Sequence, residues 1–383
     1  MCEPSSSFEP TGEQQEREWS LGSPFPFVGR SQERAELLQH LRSAADGRGK
    51  LVLLGGEAGA GKSTLIQVTA SAAVAQQCQV ALGYCRGPGE TPPFGPWLEV
   101  TARLAVAHGW ETADLAAPFG TAPGVWNAYE RAASLSYWLG RSGRPLFVVI
   151  EDLQWADADT LELSRHLPVP LASLPVLVVA TYRTDELSRR HPLWRLIPEL
   201  QRAGAVRMWL DPLTRDDVEE WVAKTLPTAL ATPEAADTVY ARTAGLPLFV
   251  RELLEESVRT RRVPTAGDPL PQTLQQALDS KLARLPPDVQ AVLEPAAVIG
   301  ERFCYDLLAR VAGVDEEDLA RAIQAATDWH VIAPLDADAS RFAFTHALLA
   351  RLSSPGWSGC TAGAGISASP TLWRPNSTPT QTS

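Results

Sequence analysis

The chain has 383 residues, of which 45% are apolar and 21% are charged, and its formal net charge is −11. This length predicts two or three compact units, and the composition is that of an ordinary soluble globular protein. The negative charge argues against nucleic-acid binding by bulk electrostatic attraction, because contacts to phosphate need a basic surface.

The first 24 residues are polar and acidic, and we predict that they are disordered. They contain no apolar core, so no signal peptide is expected. The longest uncharged stretch, Leu167 to Tyr182, is interrupted by three prolines and is too short to span a bilayer. The five scattered cysteines show no metal-type pairing. These features predict a reduced cytoplasmic protein without a membrane segment.

Between residues 25 and 212, short apolar runs alternate with amphipathic, helix-like stretches such as Gln32–Ala45. Five runs are predicted to be strands, most of them buried on both faces: Leu51–Leu54, Gln79–Leu82, Leu146–Ile150, Val176–Ala180 and Val206–Leu210. This alternation predicts an α/β fold in which a parallel sheet carries helices on both faces. A mixed α+β domain is the alternative.

Beyond Pro212 the strand pattern fades and helical patterns continue to about Leu352. Residues 213–262 are predicted to form a helical lid, which begins with a capping box of Thr214 and Asp217. Residues 263–352 are predicted to form a third, winged-helix-like and α-rich unit, including a helix from Thr273 that stops before the prolines at 286 and 287. The Ser/Gly/Thr/Pro-rich tail, residues 353–383, should not pack.

A glycine-rich segment follows the first predicted strand and matches the pattern of a P-loop, G-x(4)-G-K-[ST]. Its residues, with the next one in the helix, are Gly56, Glu57, Ala58, Gly59, Ala60, Gly61, Lys62, Ser63 and Thr64. The glycines let backbone N–H groups turn toward the phosphates of ATP, and the following helix directs its positive end at them. Lys62 is expected to reach the β- and γ-phosphates and Ser63 to bind Mg²⁺.

Two carboxylates, Glu151 and Asp152, follow the buried strand Leu146–Ile150. At this place in a P-loop protein the first acid is expected to hold Mg²⁺ and the second to polarise the attacking water. The usual order is Asp then Glu, so the reversed pair favours binding over fast turnover. Arg183, at the end of the next strand, is either a sensor of the γ-phosphate or a solvated arginine.

Six segments, taken together, resemble the AAA-like ATPase module of STAND-class regulators, especially the large ATP-binding regulators of the LuxR type. The resemblance covers residues 25–352, and the segments occur in this chain order: Phe27–Arg30, Gly56–Ser63, Gly89–Trp97, Val149–Asp157, Ala180–Glu186 and Gly245–Leu253. It implies a switch between ATP and ADP, with the nucleotide held between the sheet domain and the lid.

The resemblance also implies roles for particular residues. Phe27, Val28, Gly29 and Arg30 would line the adenine pocket, and Pro247 would contact the nucleotide from the lid. Phe344–Ala347 resembles a winged-helix histidine motif, in which His346 would touch the β-phosphate of ADP. The acid that often follows this histidine is Ala347 here, and an ordinary surface or core histidine is the alternative.

Family members usually continue into sensor repeats and an output domain, so we expect this chain to be C-terminally truncated. The favoured function is an ATP-binding signal-transduction switch with slow hydrolysis, and protein partners or self-association are possible for it. The alternatives are an AAA+ remodelling ATPase and an inert ATP-binding fragment. Residues 263–352 carry 13 acidic and 7 basic side chains, so direct DNA binding by this chain is not expected.

Overall fold

The computed structural model describes residues 26–87, 92–110, 119, 127–263 and most of 265–344. The exceptions in that last range are 266, 267, 269–274, 277, 278, 280, 281, 284, 330, 337 and 338. The predicted disorder of residues 1–24 and of the tail lies outside the described residues. So does most of the predicted helix that begins at Thr273.

A five-stranded parallel sheet forms the centre of the first unit, and all five predicted strands are confirmed. The strands are β1 (Lys50–Gly56), β2 (Gln79–Tyr84), β3 (Leu146–Glu151), β4 (Val176–Arg183) and β5 (Val206–Leu210). They pair in parallel in the order β2-β3-β4-β1-β5, so the P-loop strand β1 lies beside β4. The carboxyl ends of β1, β3 and β4 therefore meet at one edge of the sheet.

Helices cover both faces of this sheet, which confirms the predicted α/β fold. They are α1 (Ser31–Ala45), α2 (Lys62–Ala75), α3 (Gly95–His108), α4 (Ala128–Gly140), α5 (Ala158–His166), α6 (Pro168–Leu171) and α7 (Pro192–Arg202). Alternate strand residues point to opposite faces. Val52 packs in one apolar core with α1 and α2, whereas Leu53 packs in the other core with α3, α4 and α7.

Three helices follow the sheet: α8 (Arg215–Thr225), α9 (Pro233–Thr243) and α10 (Pro247–Thr260). The predicted capping box is confirmed, because the Asp217 N–H donates to Thr214 Oγ1 at 3.2 Å and the Thr214 N–H donates to Asp217 Oδ2 at 2.9 Å. These helices have an apolar core of their own, which also contains Val28 from the segment before α1.

The third unit combines helices with a small antiparallel sheet, in the order α11 (Pro287–Ile299), β6 (Arg302–Cys304), α12 (Tyr305–Ala312), α13 (Glu316–Asp328), β7 (Ile332–Pro334) and β8 (Arg341–Phe344). The strands pair antiparallel in the order β6-β8-β7. The individual strands could not be located from the sequence, where only helical patterns were found, because runs of three or four residues are too short to show a two-residue period. No helix in the described part of the chain is long and apolar enough to cross a membrane.

Candidate functional site

The P-loop joins the carboxyl end of β1 to the first turn of α2. Gly59 and Gly61 have φ angles of 80° and 90°, a left-handed conformation that glycine adopts without strain. A Cβ atom on Gly59 would lie 2.8 Å from Cβ of Leu248, so the lid also requires a glycine there. The first N–H groups of α2 have no acceptor within the helix, and together with the helix dipole they favour an anion.

Lys62 is the first residue of α2, and only 8% of its surface is exposed. Its Nζ donates to the carbonyl oxygens of Gly56 at 2.8 Å and Glu57 at 2.9 Å. Burial lowers the pKa of Lys62 to about 8, although the nearby carboxylate of Asp185 opposes this shift. The lysine is thus folded over the loop, and an added anion would stabilise its charged form.

Glu151 lies at the carboxyl end of β3, beside the first turn of α2. Ser63 Oγ donates to Glu151 Oε2 at 3.2 Å, so the structure brings together the two residues predicted to bind Mg²⁺. Burial raises the pKa of the Glu151 carboxyl, while the Ser63 hydrogen bond works against this rise. A carboxylate and a hydroxyl at this distance are the oxygen ligands that Mg²⁺ accepts.

Asp152 has a φ angle of 58° and makes an ion pair with Arg183 at the end of β4. Arg183 Nε and Nη2 donate to the two carboxylate oxygens of Asp152 at 3.1 and 3.3 Å. Arg183 also donates to Glu186 at 3.1 Å and lies 4.8 Å from the ring centre of Trp155. The guanidinium is thus held by two ion pairs and an aromatic ring while its side chain stays 28% exposed, and its role as a γ-phosphate sensor remains a prediction.

Gln154 completes this cluster and was not predicted from the sequence. It is 4% exposed, and its side-chain amide donates to Asp152 at 3.1 Å and to Glu186 at 3.3 Å. Its side-chain oxygen accepts the Arg183 N–H at 3.0 Å. The amide thus fixes both partners of the ion pair. Its position two residues after Asp152 was a weak signal, since a polar residue in the short 3₁₀ helix Leu153–Trp155 could equally have been solvated.

A cavity of about 710 Å³ lies over the P-loop and reaches from the acidic pair to the segment before α1. Of the predicted binding residues it is lined by Phe27, Val28, Arg30, Ala58, Gly59, Ala60, Gly61, Lys62, Ser63, Thr64, Glu151, Asp152, Arg183 and Pro247. Gly29, Gly56 and Glu57 are not among the lining residues, and His346 lies outside the described residues.

Arg30 lines this cavity, but its guanidinium is already bound to protein groups. It donates to Glu33 at 3.0 Å, to the carbonyl oxygen of Ala60 at 3.3 Å and, by a short contact, to the carbonyl oxygen of Asp211. One side chain therefore connects the segment before α1, the P-loop and the end of β5. This arrangement gives Arg30 a bracing role, in addition to the predicted place at the adenine pocket.

The lid helix α10 closes the cavity from the opposite side. The N–H of Leu248 donates to the carbonyl oxygen of Gly59 at 3.2 Å, and the Pro247 ring lies 3.7 Å from where a Cβ on Gly61 would be. Leu213, Trp221, Leu248 and Arg251 also line the cavity and were not predicted. Arg251 could have been found, because it follows Pro247 by four residues and so shares its helix face.

Three features together define a P-loop nucleotide-binding domain. They are a loop that presents N–H groups at the start of a helix, a buried lysine, and a carboxylate at the carboxyl edge of the same sheet. Residues 26–179 match the AAA ATPase domain family, so the chain contains an AAA-type ATPase domain. An uncharacterized protein of Rhizobium meliloti (strain 1021) is 24% identical over 329 residues. That match includes 74% of this chain but only 30% of the relative's length.

Several solved structures are similar in fold. A STAND protein with a tetratricopeptide repeat sensor from Pyrococcus horikoshii is 16% identical, with a TM-score of 0.40 over 86% of this chain and 43% of that one. Cdc6p from Pyrobaculum aerophilum is 13% identical, with a TM-score of 0.42 over 88% and 96% of the two chains. RuvB from Thermotoga maritima is 16% identical, with a TM-score of 0.39 over 86% and 96%.

Proposed function

We propose that this chain binds ATP and ADP in the cavity over the P-loop and acts as a nucleotide-dependent switch with slow hydrolysis. The phosphates would lie on the loop N–H groups and beside Lys62, which is the loop's only side-chain cation. The base would lie toward Phe27 and Trp221, where the cavity has aromatic walls. A volume of about 710 Å³ is within the range of small-molecule sites.

Ser63 and Glu151 would hold Mg²⁺ together with phosphate oxygens and water. Among the described residues no group of three or more His, Cys, Asp or Glu side chains is arranged to hold a metal ion. This donor set suits Mg²⁺, which usually takes one or two protein oxygens and completes its shell with phosphates and water. When bound, the ion supplies positive charge that offsets the negative charge of the phosphates.

The observation that carries the switch proposal is the contact between α10 and the P-loop. Because the Leu248 N–H donates to the carbonyl oxygen of Gly59, a displacement of the loop would also displace the lid. A bound nucleotide would touch the P-loop on one side and Pro247, Leu248 and Arg251 on the other. The occupancy of the cavity would then determine how the lid packs on the sheet domain.

Slow hydrolysis is supported by the environment of Asp152. Both of its carboxylate oxygens accept hydrogen bonds from Arg183, and one also accepts from Gln154. A water molecule could be positioned by these oxygens only if it displaced Arg183 or Gln154 from them. We expect turnover well below the roughly 10 s⁻¹ that is typical of enzymes.

We further propose that the switch belongs to a signalling protein of the transcription-regulator type. Its nucleotide state would control binding to protein partners or self-association. The order of the six sequence segments supports this context. His346 remains a proposed contact to the β-phosphate of ADP. The net negative charge of residues 263–352 supports the expectation that this chain does not bind DNA directly.

The central claim is tested by calorimetric titration of ATP and ADP into the wild type and Lys62→Ala. Loss of the loop's cation should lower the affinity for both nucleotides at least about tenfold. Lys224→Ala is the matched control, because Lys224 pairs with Glu220 on the exposed side of α8. Equal affinities in all three proteins would contradict nucleotide binding at the P-loop.

A further inference from the structure

A carboxylate outside the predicted site bears directly on the P-loop. Asp185 belongs to the short 3₁₀ helix Thr184–Glu186 that follows β4. Its Oδ1 accepts the backbone N–H of Ala58 at 3.0 Å. Ala58 lines the cavity, whereas Asp185 itself is not among the lining residues. The acid therefore stands next to the loop at the sheet edge where β1 and β4 run side by side.

The charge of Asp185 is directed at the same cations that a nucleotide would need. Its negative charge attracts the ammonium group of Lys62 more strongly than the nearby carboxylates of Asp152 and Glu186 do. It also favours the charged form of Arg183. Asp185 thus partly neutralises Lys62 and occupies one N–H group of a loop whose N–H groups are suited to anions. Both effects weaken the binding of phosphate groups to the loop.

We propose that Asp185 makes this site discriminate against ATP in favour of ADP, and this inference rests on the proposed nucleotide binding. A triphosphate carries more negative charge than a diphosphate, and Lys62 serves the β- and γ-phosphates. The γ-phosphate would therefore experience both the repulsion of the carboxylate and the competition for Lys62. ADP lacks the γ-phosphate and avoids the larger part of this cost.

Asp185 also lies on a segment that reaches the third unit. Four residues later, Arg189 Nε is 3.7 Å from the carboxylate of Asp328, the last residue of α13. If ATP pushes Asp185 away from Ala58, the connected segment moves at its other contact. In this way, a γ-phosphate that displaces Asp185 would also move the third unit relative to the first.

The test compares the ratio of ADP affinity to ATP affinity in the wild type and Asp185→Asn. The asparagine keeps an oxygen that accepts the Ala58 N–H and removes only the charge. Titrations are made at pH 6.5, where Lys62 stays charged, and with EDTA, so that hydrolysis cannot convert ATP into ADP. We expect the preference for ADP to fall at least about fivefold, mainly through tighter ATP binding, which is the effect of one unit charge about 4 Å away in water. Asp46→Asn, an exposed carboxylate paired with Arg48, controls for net charge.

Each outcome decides the inference. An unchanged ratio, or an equal change in both affinities, would show that Asp185 only shapes the loop. An unchanged ratio combined with slower phosphate release, measured separately in the presence of Mg²⁺, would instead make Asp185 part of the hydrolytic machinery. A wild type that binds neither nucleotide would overturn the proposed function itself. Asp185→Ala, checked by thermal unfolding without nucleotide, should shift the ratio in the same direction if the charge is the cause.

Discussion

Lys62 has an unusually low pKa for a lysine, about 8, because burial beneath the P-loop disfavours its charged form. Phosphate groups would reverse this effect by placing negative charge beside the amine. Nucleotide binding should therefore be coupled to uptake of a proton whenever the free lysine is neutral. This coupling gives a pH dependence whose sign follows from the geometry.

We predict that ATP affinity is almost constant from pH 6.5 to about 8 and falls at higher pH. Well below pH 8 Lys62 is mostly protonated before and after binding, so little proton uptake accompanies binding. Above it, the free protein must take up a proton to bind, and affinity should fall by up to about tenfold per pH unit. Calorimetry between pH 6.5 and 9.5 measures this slope. Lys62→Arg, which stays charged throughout, should lose the slope whatever its affinity. The same slope in both proteins would contradict the assignment.

The two neighbouring acids should respond differently to loss of charge. Glu151→Gln should weaken the part of ATP affinity that depends on Mg²⁺, because Glu151 lies beside Ser63. Asp152→Asn should lower turnover by roughly 100-fold, the usual effect of losing a general base, and leave affinity within a few-fold. Magnesium titrations of binding and a phosphate-release assay separate the two effects. A loss of turnover in Glu151→Gln, or a loss of Mg²⁺-dependent affinity in Asp152→Asn, would contradict this assignment of roles.

At the scale of elements, the lid helix α10 depends on the shape of the P-loop. The carbonyl oxygen of Gly59 accepts the Leu248 N–H, and Leu248 leaves no room for a side chain on Gly59. Gly47, in the turn after α1, offers a matched comparison. Its φ angle is 78°, close to the 80° of Gly59, but a Cβ there would meet nothing within 4 Å.

Gly59→Ala and Gly47→Ala should therefore share one effect and differ in another. Each places a side chain in a left-handed conformation, which should lower the free energy of unfolding by about 1–2 kcal/mol. Only Gly59→Ala also pushes α10 from the loop, so only it should lose nucleotide affinity, by about tenfold or more. Denaturant unfolding and calorimetry measure the two quantities. Equal affinity losses would show that the lid contact does not matter for binding.

The elements differ in how far the sequence alone predicts them. The strand Leu146–Glu151 could be predicted because a continuous apolar run suits a strand buried on both faces. The start of α8 could be predicted because its capping box is local. The Asp152–Arg183 ion pair and the Asp185–Ala58 contact could not, since they join residues 31 and 127 positions apart. Only the pairing of β1, β3 and β4 brings those groups together.

At the scale of the whole molecule, the apolar side chains form separate cores. One core joins the α1–α2 face of the sheet to the third unit, and another fills the opposite face. The lid helices have a smaller core, which is completed by Val28. Among the described lid residues, Leu246, Leu248 and Phe249 join the core that the sheet shares with the third unit, while most of the others pack within the lid. We therefore expect the lid to separate at a lower cost than the sheet core opens.

Hydrogen exchange should reveal this difference. We predict that buried amides of α8, α9 and α10 exchange together and faster than those of β1, β3 and β4. Saturating ADP should slow the lid amides most, because the nucleotide would connect Pro247 and Leu248 to the P-loop. Exchange measured by mass spectrometry with and without ADP tests this, and Lys62→Ala serves as the control that should not respond. Lid amides as slow as those of the sheet would contradict a separable lid.

The contacts of Arg30 also affect the order in which the site can form during synthesis. Its guanidinium binds the carbonyl of Asp211, a residue made 181 positions later. At about 5–20 residues per second, a ribosome needs roughly 9–36 s to cover that distance. During this interval Arg30 has no contact to the end of β5, and the P-loop lacks both the β5 edge and the lid. A nascent chain should therefore acquire its nucleotide only after the lid has been synthesised, so its first ligand reflects the nucleotide pool at that late stage.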